Sequence, residues 1–193
     1  MPVSADPYTY PGTDILRNIP DIRDPERLAG FEANATVARL AELDANPMTG
    51  HFDVARLRAI HRYIFQDVYA WAGQFRTVNI SKGGHLFADA AFIEPALLDL
   101  LGKLRDENYL MAAGSNAFAE RAAFYLAEVN AIHPCREENG RTQREFIRQL
   151  GRRSGHAIDW RHVTRPEMLA ASRESFATGD SSGFANVMRA CMT

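Results

Sequence analysis

The segment from His133 to Arg144 reads HPCREENGRTQR and puts a histidine, two adjacent carboxylates, two amides, a glycine and three arginines into one short stretch. Pro134 cannot continue the helix before it, so His133 is expected at the C-terminal end of an apolar helix. Asn139-Gly140 can open the next helix with its first backbone N–H groups unpaired. A helix start of that kind is an anion site by geometry and dipole. Arg141, Arg144 and Arg148 recur at spacings of three and four and project from neighbouring turns of one face. A base, a carboxylate able to hold a metal and an anion cradle are what phosphate transfer from a nucleotide requires. Each residue taken singly has a plainer role: a histidine before a proline is usually a cap, arginines at helical spacing usually form a solvated face, and Glu137-Glu138 complement a helix N-terminus. Their order within one loop is what points to a site.

The elements that must position this loop read as helices. Asp24-Pro25 suits an N-cap and first helical position, and Leu28, Phe31, Ala35, Ala38 and Leu43 recur along the stretch from Pro25 to Leu43. After a break at Asn46 to Gly50, a helix from about Asp53 to Ala72 aligns Leu57, Ile60, Ile64, Val68 and Trp71, with Phe65 beside the stripe. Further helices are expected over about Ala91–Glu107, Asn116–Ile132, Asn139–Gly151, Arg165–Phe176 and Ser182–Cys191. In the Asn116 helix, Phe118, Ala122, Tyr125, Leu126 and Val129 form the face for burial. Between Gly73 and Phe87 the pattern changes to GQFRTVNISKGGHLF, with Gly83-Gly84 suited to a tight turn. This reads as a short exposed hairpin, pinned to the bundle or completed by a partner strand.

Composition sets the outer bounds. A chain of 193 residues fits one domain and buries roughly 70% of its unfolded surface without a metal or disulfide staple. The net charge of −2 argues against direct nucleic-acid binding. The two cysteines, Cys135 and Cys191, make no disulfide framework and fit a reducing compartment. No apolar run approaches the roughly 18 residues of a membrane span, and the polar, proline-bearing stretch from Met1 to Tyr10 is unlike a signal peptide. A soluble, cytoplasmic protein is expected.

The His133–Arg144 segment resembles the signature of the Fic (filamentation induced by cAMP) family, HxFx(D/E)GNGRxxR, through His133, Glu137, Asn139, Gly140, Arg141 and Arg144. The opening DPYTYPGTDILRN, the central IHRYIFQDVYAWAGQFRTVNISKGG and the closing helices extend the likeness to short Fic toxins along essentially the whole chain. The resemblance implies an all-α Fic fold over residues 1–193, a helical bundle with a core over about 53–155, a short β-hairpin flap over about 74–87 beside the active-site loop, and the motif at 133–144. Two positions depart from the signature. Cys135 replaces the phenylalanine that anchors the loop, and Glu138 replaces the first glycine of the phosphate nest. A glutamate there adds bulk and charge, and strain wherever a positive φ is needed.

The same resemblance implies a protein adenylyltransferase that moves AMP from ATP to a tyrosine, serine or threonine hydroxyl of a target protein. His133 would be the general base and Glu137 the Mg²⁺ ligand. Glu138, Asn139, Gly140, Arg141 and Arg144 would face the phosphates, as would Lys82 and Gly83 of the flap. Ile80, Ser81 and Lys82, with Gly83, would dock the target segment as an added strand. Bacterial topoisomerases are the first targets it suggests, with export into a host cell as an effector left open. No serine or threonine is followed four residues on by glutamate, so the family's inhibitory (S/T)xxxE(G/N) helix is missing in this chain. A small antitoxin supplying a glutamate to Arg144 in trans is therefore expected. Two other readings stay open: another transfer on the same fold, such as phosphorylation, and a Fic-fold binding module whose Cys135 and Glu138 have silenced transfer.

Overall fold

Asp24 starts the bundle as the sequence suggests. Its carboxylate accepts from the Arg27 N–H at 2.8 Å, Pro25 fills the first turn, and α1 (Pro25–Ala45) follows. The computed structural model describes residues 6–82 and 84–193. Among these, α1 is followed by α2 (Val54–Phe65), α3 (Ile93–Asp106), α4 (Ser115–Ile132), α5 (Asn139–Arg153), α6 (Arg165–Thr178) and α7 (Ser182–Cys191). Asp53 caps α2 through the Arg56 N–H, and Thr164 with Glu167 forms a reciprocal capping box on α6.

The core is one continuous apolar cluster with α4 at its centre, and the expected face of Phe118, Ala122, Tyr125, Leu126 and Val129 is buried throughout. α4 packs against α7, α5, α3 and α6, while α5 also packs on α2. The two helices flanking the motif are thus held from both sides. Cys135 and Cys191 are free and buried. No helix among the described residues is long and apolar enough to cross a membrane.

Three local expectations are corrected. The helix expected from Asp53 to Ala72 ends at Phe65 and gives way to turns, in which the Val68 N–H reaches back to Phe65 and the Ala72 N–H to Tyr69. Val68 and Trp71 are still buried, so the stripe kept its period while the backbone left the helix. The buried face of α1 is Leu28, Glu32, Thr36 and Leu43, with Phe31 and Ala38 turned outward. A carboxylate and a hydroxyl sit in that face because a partner from α5 satisfies them, as described below. The hairpin pairs over two residues per strand, β1 (Ser81–Lys82) with β2 (His85–Leu86), in the register Ser81 to Leu86 and Lys82 to His85. Gly84 has the positive φ the turn needs, at 84°. Gly83 lies outside the described residues. The chain from Gln74 to Asn79 forms no strand; within it Arg76 donates to the Val78 and Pro134 carbonyls.

Candidate active site

His133 closes α4 in the left-handed region, with φ 50° and ψ 63°. That turn sends the chain away at Pro134 and leaves the imidazole at the edge of a cleft. Its Nδ1 lies 3.3 Å from the Asn130 carbonyl oxygen. A carbonyl only accepts, so Nδ1 carries the proton and Nε2 keeps its lone pair. Burial, with the nearby Lys82 and Arg76 charges, pushes the imidazole down to about 4. It is therefore a neutral group at neutral pH. The Phe87 ring stacks on it, with centroids 3.9 Å apart and planes 14° from parallel.

The loop after His133 folds on itself. The Asn139 side chain accepts from the Cys135 N–H and donates to the Cys135 carbonyl, both at 2.8 Å. Asn139 is buried, so its amide builds the loop and only its backbone is left to face a ligand. The Cys135 thiol fills the anchor position and is pushed up to about 12 by burial. His61 on α2 supports the loop from below, with Nε2 at 3.3 Å from the Glu137 carbonyl and Nδ1 accepting from the Gly73 N–H at 2.8 Å.

α5 begins at Asn139 with no side-chain cap, leaving its first N–H groups toward the cleft. Glu138, directly before it, is left-handed at φ 65°, the strained backbone foreseen for a glutamate at a glycine position. Its carboxylate turns back to Arg141, 3.3 Å from Nε. Burial and the neighbouring Glu32 carboxylate hold the Glu138 carboxyl well above the usual range. Arg141 is also gripped from α1: its Nη1 is 3.0 Å from Glu32 and 3.1 Å from the Thr36 hydroxyl. Glu32 in turn accepts from the Tyr69 hydroxyl at 2.6 Å. Arg144 lies a turn further along and makes no ion pair among the described residues. Burial and the Arg141 charge lower its pKa, yet a guanidinium remains protonated. Gly140 leaves it room, since a Cβ there would stand 3.3 Å from Arg144 Nη1.

These groups line one cleft of about 1070 Å³. His133, Glu137, Glu138, Asn139, Gly140, Arg141, Arg144 and Lys82 all border it, so the structure brings together every described residue expected at the phosphates. Ile80 and Ser81 lie on or beside β1, away from the lining but contiguous with Lys82. Glu137 is half-exposed, with Arg136 3.6 Å from its carboxylate. No group of three or more candidate metal ligands occurs among the described residues. One carboxylate, with substrate phosphates and water completing the shell, fits Mg²⁺ and would not fit a metal that needs a protein cage. Sequence reasoning did not find Glu32, Thr36, Phe87 or Arg76. It also missed the apolar end of the cleft, made by Trp160, Val163, Met168 and Leu169, where Trp160 Nε1 donates to the Arg144 carbonyl at 3.1 Å. A glutamate and a threonine four apart, on the period of Leu28, were the one available signal for the first pair.

Comparison with known proteins agrees with this geometry. The chain is 43% identical over 173 residues to the protein adenylyltransferase VbhT of Bartonella schoenbuchensis, covering 90% of this chain and 36% of that protein's length. It is 41% identical over 185 residues to the probable protein adenylyltransferase y4lH of Sinorhizobium fredii, covering 95% of this chain and 94% of that one. The crystal structure of the BepC protein of Bartonella tribocorum, a VirB-translocated effector with bound AMPPNP, superposes with a TM-score of 0.92 at 28% identity and covers 96% of both chains. The Fic/DOC family sequence model matches residues 51–150, from the start of α2 through the motif. With its helical bundle, its hairpin and its HxxxEENGRxxR loop at the start of α5, this chain belongs to the Fic/DOC family.

Proposed function

We propose that the protein is an adenylyltransferase that moves AMP from ATP to a hydroxyl side chain of a target protein. The observation that carries this reading is the meeting, on one cleft, of a neutral histidine, an uncapped helix N-terminus and Arg144, which makes no ion pair among the described residues. The target oxygen attacks the α-phosphorus, the bond to the bridging oxygen breaks, and pyrophosphate leaves. The hydroxyl proton passes to His133 Nε2, whose lone pair is left free by the Asn130 contact. The first N–H groups of α5, at Asn139 and Gly140, receive phosphate oxygens, and Arg141 and Arg144 add charge-assisted donors. Glu137 would hold Mg²⁺, which would supply positive charge against the phosphates. Trp160, Val163, Met168 and Leu169 offer a flat apolar wall for the base. Ile80, Ser81 and Lys82, with Gly83, would take the target segment along the hairpin edge, which places its hydroxyl beside the cleft.

The partner side of the reading is a target with a tyrosine, serine or threonine, and an antitoxin whose glutamate reaches Arg144. The second is supported because Glu32 and Glu138 go to Arg141 and Glu145 to Arg148, while Arg144 makes no ion pair among the described residues. Incubation of the purified chain with labelled ATP, Mg²⁺ and a bacterial lysate, beside His133→Ala, tests the transfer. Mass spectrometry of the modified protein separates added AMP from added phosphate. Label transferred equally by both proteins would end the reading. Glu138 favours one second reading, a nucleotide-binding module with little transfer, and calorimetry with ATP and Mg²⁺ but no turnover would support that one.

A further inference from the structure

We propose that Phe87, at the end of the hairpin, is a positioning residue for His133: its ring sets the plane of the imidazole, and the buried Arg76 binds the two backbones that carry the pair. The role rests on the reading of His133 as the base. The torsion that turns an imidazole about its Cβ–Cγ bond is broad, so rotamer preference alone does not fix the ring plane. The Asn130 contact, at 3.3 Å, is a single long hydrogen bond and leaves that rotation soft. A ring stacked at 3.9 Å and 14° removes it, because any swing of the imidazole drives it into Phe87. Phe87 is fixed in its turn. Its N–H reaches the Ile80 carbonyl at 3.3 Å, and its ring meets Phe176 edge-on at 5.5 Å.

Arg76 makes this contact durable. Its guanidinium donates to the carbonyls of His133 at 2.9 Å, Ile132 at 3.2 Å and Val78 at 2.8 Å, and also to that of Ala88. Its own N–H reaches the Pro134 carbonyl at 2.9 Å. One buried side chain thus ties both arms of the hairpin to the end of α4. The element that would receive the target strand is the element that holds the base in plane.

The test uses the full chain with isotope-labelled histidines, the His133 signal being the one lost in His133→Ala. In the wild type burial pushes this imidazole down to about 4. In Phe87→Leu the midpoint rises by about one unit or more toward the free-histidine value, as the ring turns out to water. Lys82 and Arg76, the charged groups acting on His133, are unchanged by the variant. With transfer as the second readout, kcat falls about ten- to a hundredfold while KM for ATP stays within about twofold. Phe87→Tyr restores the ring and both quantities. Phe87→Met keeps apolar bulk without a ring and gives the same readings as Phe87→Leu, should the leucine variant unfold. An unchanged His133 titration in the leucine or methionine variant, a loss carried by KM alone, or a tyrosine variant that behaves like leucine would overturn the proposal. A wild type that transfers no AMP would refute the transferase reading, and the titration would still decide the role of Phe87.

Discussion

His133 and Glu138 stand five residues apart, and both hold a left-handed backbone, at φ 50° and 65°. Their surroundings treat them oppositely. Around His133 every neighbour agrees with the strained turn: Arg76 takes its carbonyl, Asn130 takes the Nδ1 proton, and Phe87 covers its face. Around Glu138 the parts conflict. Its side chain makes no cap bond, and its carboxylate shares Arg141 with that of Glu32, which repels it. A left-handed non-glycine residue costs on the order of 1–2 kcal/mol, and such strain persists where surroundings over-determine it. At the base that condition is met by Arg76, Asn130 and Phe87; at Glu138, Arg141 meets the carboxylate and Thr142 the carbonyl, while Glu32 repels the carboxylate. The base side is therefore the settled half of the site and the nest side the adjustable half.

The largest effect should come from breaking the settled half. His133→Ala is expected to lower transfer by about 10²- to 10⁴-fold with helix content unchanged, because no other imidazole borders the cleft among the described residues. A variant that keeps within a few-fold of wild-type turnover would mean the base lies elsewhere. The pH profile sharpens the same point. A histidine lowered to about 4 is deprotonated through neutral pH, so kcat should be flat there and fall about tenfold per unit below that value. An acid limb near 6.5, the ordinary histidine value, that persists in Glu138→Gly would show that the ring is solvated in the working enzyme, since the raised Glu138 carboxyl is then gone.

The existence of α4 and α7 was legible, since their apolar period needed nothing from outside each segment. The end of α2 was not, because Val68 and Trp71 stay buried after the backbone has turned at Phe65, and periodicity reports burial rather than hydrogen bonding. The face of α1 misled for a related reason. Apolar Phe31 was the natural choice, yet Glu32 at 7% exposure is inside because Arg141 and Tyr69 meet it there. The site residues carried by the His133–Arg144 spacing were brought together in one cleft. Those that act from a distance in sequence, such as Arg76 on the His133 carbonyl, had no local pattern to betray them.

Relieving the adjustable half should have the next largest effect, and in the opposite direction. Glu138→Gly removes a carboxylate from the nest and gives the left-handed position a residue that adopts it freely. KM for ATP is expected to fall about tenfold, equivalent to roughly 1.4 kcal/mol, with a smaller change in kcat. Thermal stability should change by less than about 1 kcal/mol, since relief of strain offsets the lost ion pair. A higher KM in the glycine variant would show that the Glu138 carboxylate is used in binding, through Mg²⁺ or Arg141.

The smallest effect lies between the two carboxylates on Arg141 and is best read in combination. Glu32→Gln keeps an oxygen for Arg141 or the Tyr69 hydroxyl and removes the charge. In the wild-type background Glu138 still holds Nε of Arg141, and loses the repulsion of a charged Glu32, so it grips more firmly. The cost to KM for ATP should then be about threefold or less. In the Glu138→Gly background Glu32 and Thr36 are the remaining hydrogen-bond partners of that guanidinium among the described residues. Removing the Glu32 charge there should raise KM about tenfold, the scale of one charge-assisted hydrogen bond. The two substitutions are thus expected to be non-additive by a factor of about three, measured as KM for ATP across the four proteins of the cycle. Strict additivity would mean that Glu32 and Glu138 do not act through the same arginine, and the conflict in the nest would then be one of backbone alone.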